Sequence, residues 1–157
     1  MTKYTWKKEE VPNHLEVKQV YGIAFSSEEK ILLHSEEGAY KLTGGKPESG
    51  ENYIETLKRE FLEEINTTLE DIHYLGYLEV KEEGKIPFAQ VRMIAKIKNI
   101  GKPIVDIATG KMYEQHLVSS EKVKNYLNYE EEGNKMLDDA IKLAREKYSF
   151  IASQEER

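Results

Sequence analysis

Along this chain of 157 residues the hydrophobic pattern changes period several times, and each change predicts an element. Glu16–Phe25 (EVKQVYGIAF) and Lys30–His34 (KILLH) are runs rich in β-branched and aromatic residues. The intervening SSEE makes them a predicted hairpin. Ala39–Leu42 is a short extended piece that enters the loop GGKPESGE, where glycines and a proline predict irregular backbone. Over Glu51–Ile65 the period becomes helical, with Ile54, Leu57, Phe61 and Ile65 at three- and four-residue spacing. Asn66 follows, where a helix end often turns left-handed.

Downstream, Ile72–Val80 and Phe88–Lys98 read as strands around the turn KEEGKIP, and Tyr113–Val118 as a shorter third. Ser120–Leu127 reads as a short helix with Ser120 as N-cap. Asn134–Tyr148 reads as a longer helix whose apolar face carries Met136, Leu137, Ala140, Ile141, Leu143, Ala144 and Tyr148. The tail SQEER is expected to fray. Strands and helices mix without a βαβ rhythm, so the class is α+β, with helices covering a mixed sheet. No repeat or linker divides the chain. We therefore expect one domain over residues 1–157, with about 1–15 and 150–157 peripheral to it.

Composition narrows the function classes. The 39% hydrophobic and 33% charged residues describe a solvated globule, and no apolar run approaches the roughly 18 residues of a membrane span. The opening MTKYTWKKEEVPNH has lysines but no apolar stretch, so no signal peptide is expected in it. The absence of cysteine removes disulfides, thiolate metal sites and cysteine nucleophiles, and fits a reducing, cytoplasmic setting. The net charge of −6 argues against a DNA duplex as partner, which calls for concentrated Lys/Arg. It leaves room for a nucleotide held through divalent cations.

Candidate chemistry concentrates in GGKPESGENYIETLKREFLEEINT. On a helix Glu60, Glu63 and Glu64 stand at i, i+3 and i+4 and share one face, beside the apolar stripe. Like charges at this spacing destabilise a helix, and Arg59 offsets only part of that. A cation in the cluster makes it reasonable, since Mg²⁺ takes a few carboxylates plus phosphate oxygens and water. The glycines allow close backbone approach to a ligand, and the helix N-terminus favours anions. The competing reading is a solvated acidic face, which is what most Glu runs are. It remains the better reading for Glu48, Glu55, Glu70 and the run 130–132.

These residues resemble the signature of the Nudix hydrolases (MutT-like): Gly, five residues, Glu, seven residues, then Arg-Glu-aliphatic-any-Glu-Glu-any-Gly-aliphatic. Gly45, Glu51, Arg59, Glu60, Glu63 and Glu64 fall in register, and Phe61 holds the first bulky apolar position. Asn66 replaces the family glycine and Thr67 the last aliphatic residue. Asn is the usual substitute in a left-handed cap, so the turn is expected to survive.

The resemblance implies a Nudix-type α/β/α sandwich, a mixed sheet flanked by the Nudix helix and a C-terminal helix. It implies Glu60, Glu63 and Glu64 as metal-binding carboxylates for Mg²⁺ or Mn²⁺, with Glu60 and Glu64 as direct ligands and the carbonyl of Gly45 as a further one. It implies that Gly44, Gly45 and Glu51 position the loop and substrate, with ligation of a second metal as the other role for Glu51, and that Arg59 orients a glutamate of the cluster. The general base is a glutamate of the box, Glu63, with Glu114 as a remote alternative; Asp106 flanks the same downstream segment. The implied activity is that of a divalent-metal-dependent pyrophosphohydrolase cleaving a nucleoside diphosphate linked to another moiety. Two other readings stand beside it: a nucleotide-sensing module on the same fold, and removal of pyrophosphate from an RNA 5′ end. The histidines His14, His34, His73 and His116 show no ligand spacing. Trp6, Tyr21, Tyr40 and Tyr113 could stack on a base, though single aromatics are more often core. Substrate identity and oligomeric state are not legible.

Overall fold

In the computed structural model, which describes residues 1–152, eight strands form one mixed sheet covered on both faces. The strands are β1 (Thr2–Lys7), β2 (Glu16–Phe25), β3 (Lys30–Glu36), β4 (Ala39–Lys41), β5 (Thr43–Gly45), β6 (Thr67–Glu82), β7 (Phe88–Ile100) and β8 (Glu114–Ser119). The helices are α1 (Tyr53–Ile65), α2 (Val123–Leu127) and α3 (Glu131–Lys147). The sheet order is β1-β6-β7-β2-β3-β4, with β5 paired to β2 and β8 to β3. β2 and β7 run parallel at the centre, and the other pairs are antiparallel.

The central strands read as nearly unbroken apolar runs because both of their faces are buried. Alternation sorts their side chains. Ile23, Phe25, Ile31 and Leu33 pack with Val123, Leu127, Met136, Leu137, Ala140 and Ala144 of α2 and α3. Ala24 and Leu32 point the other way and pack with Leu57, Phe61 and Ile65 of α1. This gives the expected α/β/α sandwich, with α1 on one face and α3 on the other.

Several boundaries differ from the sequence reading. β1 was not expected, because TKYTWK alternates with lysines and reads as solvated. As an edge strand it pairs along its length with β6, and Trp6 fixes it to α3 by donating from Nε1 to Asp139 Oδ2 at 2.8 Å. β5 falls on the glycines expected to be irregular. A Cβ on Gly44 would lie 2.1 Å from the Val20 carbonyl oxygen, so glycine here permits close pairing with β2. Ser120 is not a helix cap. Its hydroxyl donates to Glu29, and α2 begins at Val123 after Lys122, without a side-chain cap. α3 starts at Glu131 rather than Asn134. β6 begins at Thr67, directly after the α1 cap. The SQEER expectation lies outside the described residues.

Candidate active site

The site is built where β5 delivers its glycines to the start of α1. Asn52 caps α1: its side chain accepts from the Glu55 N–H at 2.8 Å, while Glu55 accepts from the Asn52 N–H at 3.0 Å. This reciprocal capping satisfies two free donors and fixes where the helix begins. Glu55 is therefore a capping residue rather than plain solvated surface. At the other end Asn66 is left-handed (φ 47°, ψ 44°), as expected, and its N–H donates to carbonyls of the last turn. Its side chain also donates to the Lys102 carbonyl at 3.1 Å, which ties the end of α1 to the segment after β7.

Arg59 organises the loop. It grips Glu51 with two donors, Nε to Oε2 at 2.7 Å and Nη2 to Oε1 at 3.0 Å. Nη2 also donates to the Lys46 carbonyl at 2.9 Å, and Nη1 reaches Glu60 at 2.9 Å and Glu63 at 3.3 Å. Glu51 Oε1 further accepts from the Glu48 N–H and the Thr56 hydroxyl. With the Arg59 guanidinium as main cause, the Glu51 carboxyl is held down to about 2. Glu48, read as solvated, is exposed but lies 3.0 Å from Arg59 Nε.

Glu60 and Glu64 sit on the inner side of the acidic face. A Cβ on Gly45 would lie 2.4 Å from Glu60 Oε1, so only glycine lets this carboxylate rest against the β5 backbone. Burial pushes the Glu60 carboxyl up against the pull of Arg59. Glu64 is pushed up to about 8, first by burial and then by the charge of Glu60, with the Gly44 N–H acting the other way and Asp106 adding to the rise. Its Oε2 is buried with no hydrogen-bond partner. Buried carboxylate oxygens are normally satisfied, so this orphan beside a second carboxylate leaves an acceptor that a cation could satisfy. Glu63 is half exposed, at 49% of its side chain, and leans on Arg59.

The downstream acids separate. Glu114 lies on β8, 82% exposed, 3.7 Å from His116 Nε2. Asp106 is buried, accepts the Ala108 N–H at 2.9 Å, and its charge reaches both Glu60 and Glu64. Of the two flanking acids, Asp106 is the one the fold turns toward the cluster. His34 is buried, pushed down to about 4 by burial, and pairs with the Thr43 hydroxyl at 2.8 Å. Among the described residues no group of three or more His, Asp or Glu side chains is arranged to hold a metal ion. Sequence reasoning passed over Arg92, a buried arginine inside the apolar run of β7; its signal was the charge in VRMIA, between residues that must face a core.

A family model, the NUDIX domain, matches residues 17–125, more than half of the chain. Solved structures agree on the fold. A mutant form of the pyrophosphohydrolase BsRppH of Bacillus subtilis has a TM-score of 0.71 at 19% identity, covering 94% of each chain. A MutT structure from work on Aliivibrio salmonicida and Vibrio cholerae has a TM-score of 0.58 at 20% identity, covering 80% of this chain and 96% of that one. A Nudix hydrolase of Nitrosomonas europaea has a TM-score of 0.61 at 18% identity, covering 85% and 92%. No curated protein matches the chain.

The matched residues take in the mixed sheet's central strands, the arginine-clamped glycine loop and the acidic helix. The chain belongs to the Nudix family, and its class is that of hydrolases acting on phosphoric anhydride bonds. No helix among the described residues is long and apolar enough to cross a membrane.

Proposed function

We propose that this protein is a divalent-metal-dependent pyrophosphohydrolase that cleaves the diphosphate linkage of a nucleoside diphosphate joined to another moiety. The observation that carries the reading is the orphaned, buried Oε2 of Glu64 beside Glu60, under a loop that only glycine permits at position 45. Glu60, Glu64 and the Gly45 carbonyl would hold Mg²⁺ or Mn²⁺, with Glu63 at the solvent side. Bound there, the cation would supply Lewis-acid neutralisation of the phosphates and acidify the attacking water.

The chain's own residues do the rest. Arg59 and Glu51 lock the loop against α1, so that Gly44 and Gly45 stay within reach of a phosphate. Arg59 also orients Glu60 through Nη1. Glu63 would accept the proton of the attacking water; Glu114 and Asp106 are the alternatives, and burial beside the cluster favours Asp106 of these two. The likeness of fold to a pyrophosphohydrolase over 94% of both chains supports the same reading.

The test is a phosphate-release assay over a panel of nucleoside diphosphate derivatives, with and without Mg²⁺ and with added inorganic pyrophosphatase to distinguish the products. Turnover that depends on Mg²⁺ and disappears in Glu64→Gln is expected. Wild-type turnover in EDTA, or in Glu64→Gln, would overturn the assignment. Binding of the panel without any turnover would favour the sensing module.

A further inference from the structure

On the α3 side of the sheet a pocket of about 670 Å³ opens between β1, β6, β7 and the start of α3, and nothing in the preceding site uses it. Its floor carries Arg92, only 5% exposed, with Nε and Nη1 buried and without a well-formed hydrogen bond among the described residues. The third nitrogen, Nη2, is 3.4 Å from Gln90 Oε1, which is a weak contact. The guanidinium lies 4.6 Å from the Tyr21 ring centroid, so one face of its plane is braced. The Tyr129 hydroxyl beside it favours its charge, in part by hydrogen bonding, and no carboxylate is among the groups with the largest effect on it. Tyr4 and Leu78 complete the apolar wall, and the rim carries Lys3 beside Glu130, Glu131 and Glu132, the last paired with Lys135 and the Trp6 N–H.

A buried arginine with open donors is costly, so its retention calls for a ligand that accepts its hydrogen bonds. Arginine donates only. The ligand must therefore present acceptors, and the aromatic walls call for a flat group. The carboxylates at the rim offset Lys3, so a free anion gains no net attraction there. Guanine meets all three conditions, because its O6 and N7 are adjacent acceptors that an arginine reads with two donors, whereas adenine offers a donor at N6.

The pocket also adjoins the acidic site. Arg92, Tyr21 and Gly44 stand opposite one another on β7, β2 and β5, one rung across three strands, about 10 Å from end to end at ordinary strand spacing. Tyr21 feels the charges of Arg92, Glu64 and Glu60 at once, so it bridges the two sites.

We infer that the cavity holding Arg92 is the base subsite and selects 6-keto purines over adenine through two-donor recognition by Arg92. This deepens the reading of the acidic site as a nucleoside diphosphate hydrolase and rests on it for the substrate's other half.

The experiment uses ligands with no anhydride to cleave at the nucleoside, so it does not depend on hydrolysis or on metal. Titration calorimetry in EDTA compares guanosine 5′-monophosphate, adenosine 5′-monophosphate and inorganic pyrophosphate on wild type, Arg92→Met and Gln90→Leu. Wild type is expected to prefer the guanine nucleotide by about tenfold or more, the range of one two-donor arginine contact. In Arg92→Met the preference should fall to near one while the melting temperature holds or rises, since a buried charge has been replaced by an apolar side chain. If Arg92→Met does not fold, Gln90→Leu, which frees Nη2 but keeps the guanidinium, must retain the preference. Equal wild-type binding of the two nucleotides, a preference that survives Arg92→Met, or loss of pyrophosphate binding in Arg92→Met would each overturn the inference, the last by making Arg92 a phosphate ligand. A guanine preference with no turnover on any diphosphate would leave the base subsite standing and remove the proposed hydrolysis.

Discussion

Arg59 and Glu51 are joined at two points, 2.7 Å from Nε to Oε2 and 3.0 Å from Nη2 to Oε1, across eight residues of sequence. The pair closes the glycine loop onto α1 and leaves Nη1 free to steer Glu60. Lysine keeps the charge but offers a single ammonium in place of the fork. Arg59→Lys should therefore lower kcat/KM by roughly ten- to a hundredfold, the usual cost of losing a residue that orients a metal ligand. Its melting temperature should change little. Steady-state kinetics beside a thermal melt checks this, and unchanged kinetics would mean the fork is dispensable.

Glu60→Gln and Glu64→Gln separate a metal site from a solvated acidic face. Glu60→Gln relieves repulsion within α1, worth a few tenths of a kcal/mol, and Glu64→Gln removes a buried carboxyl that must hold a proton at neutral pH, so the metal-free protein should gain stability in both cases. Turnover should nonetheless fall by orders of magnitude, because Lewis-acid stabilisation of phosphoryl transfer is worth several kcal/mol. Mg²⁺ should raise the wild-type melting temperature more than that of either variant. Glu55 is unsuitable as the control, since it closes the capping box with Asn52. Glu70→Gln, exposed on β6, serves instead and should leave both readouts unchanged.

The two perturbed carboxyls give opposite pH signatures. Glu64 stands at about 8 in the folded protein, against an ordinary value of 4.5. Between these values the folded state keeps a proton that the unfolded state has lost, so metal-free stability declines as pH rises through this window. Glu64→Gln should flatten that decline in thermal melts across pH 5–9 (roughly the span of the shift). Cation binding must displace the same proton, so Mg²⁺ affinity should climb with pH and level off near 8. Glu51 acts in reverse. Its carboxyl is held at about 2, so its contribution is full above the ordinary carboxylate value and is lost as pH falls toward 2. A metal-free wild type whose stability rises between pH 5 and 8 would contradict the first assignment.

Asn66→Gly is expected to leave stability and turnover nearly unchanged. Glycine removes the left-handed penalty at φ 47°, of order 1 kcal/mol. It also removes the hydrogen bond from Nδ2 to the Lys102 carbonyl, worth about 1 kcal/mol. Denaturant melts and kinetics on this variant check the balance. A large loss of turnover with stability intact would show that the Lys102 tether positions Asp106, four residues further on.

The sequence by itself determined the helix that carries the chemistry. Its period placed Leu57, Phe61 and Ile65 inward, and the same 100° geometry put Glu60 and Glu64 together beside them. The left-handed end at Asn66 and the strands β2, β3, β6 and β7 were equally legible, because local spacing and backbone preference suffice for them. Other features required distant parts of the chain to meet. β1 became visible only through its pairing with β6 and its tie to α3, since an edge strand that is polar on one side leaves little period to read. The glycines at 44 and 45 looked like loop residues; their extended pairing reflects the nearness of the Val20 carbonyl and the Glu60 carboxylate, which no neighbouring residue encodes. Of the two acids flanking the downstream segment the sequence favoured Glu114, and only tertiary structure buried Asp106 beside the cluster and left Glu114 in water. Burial also raised the Glu64 carboxyl and left Arg92 with open donors, because desolvation belongs to the assembled core rather than to any segment of it.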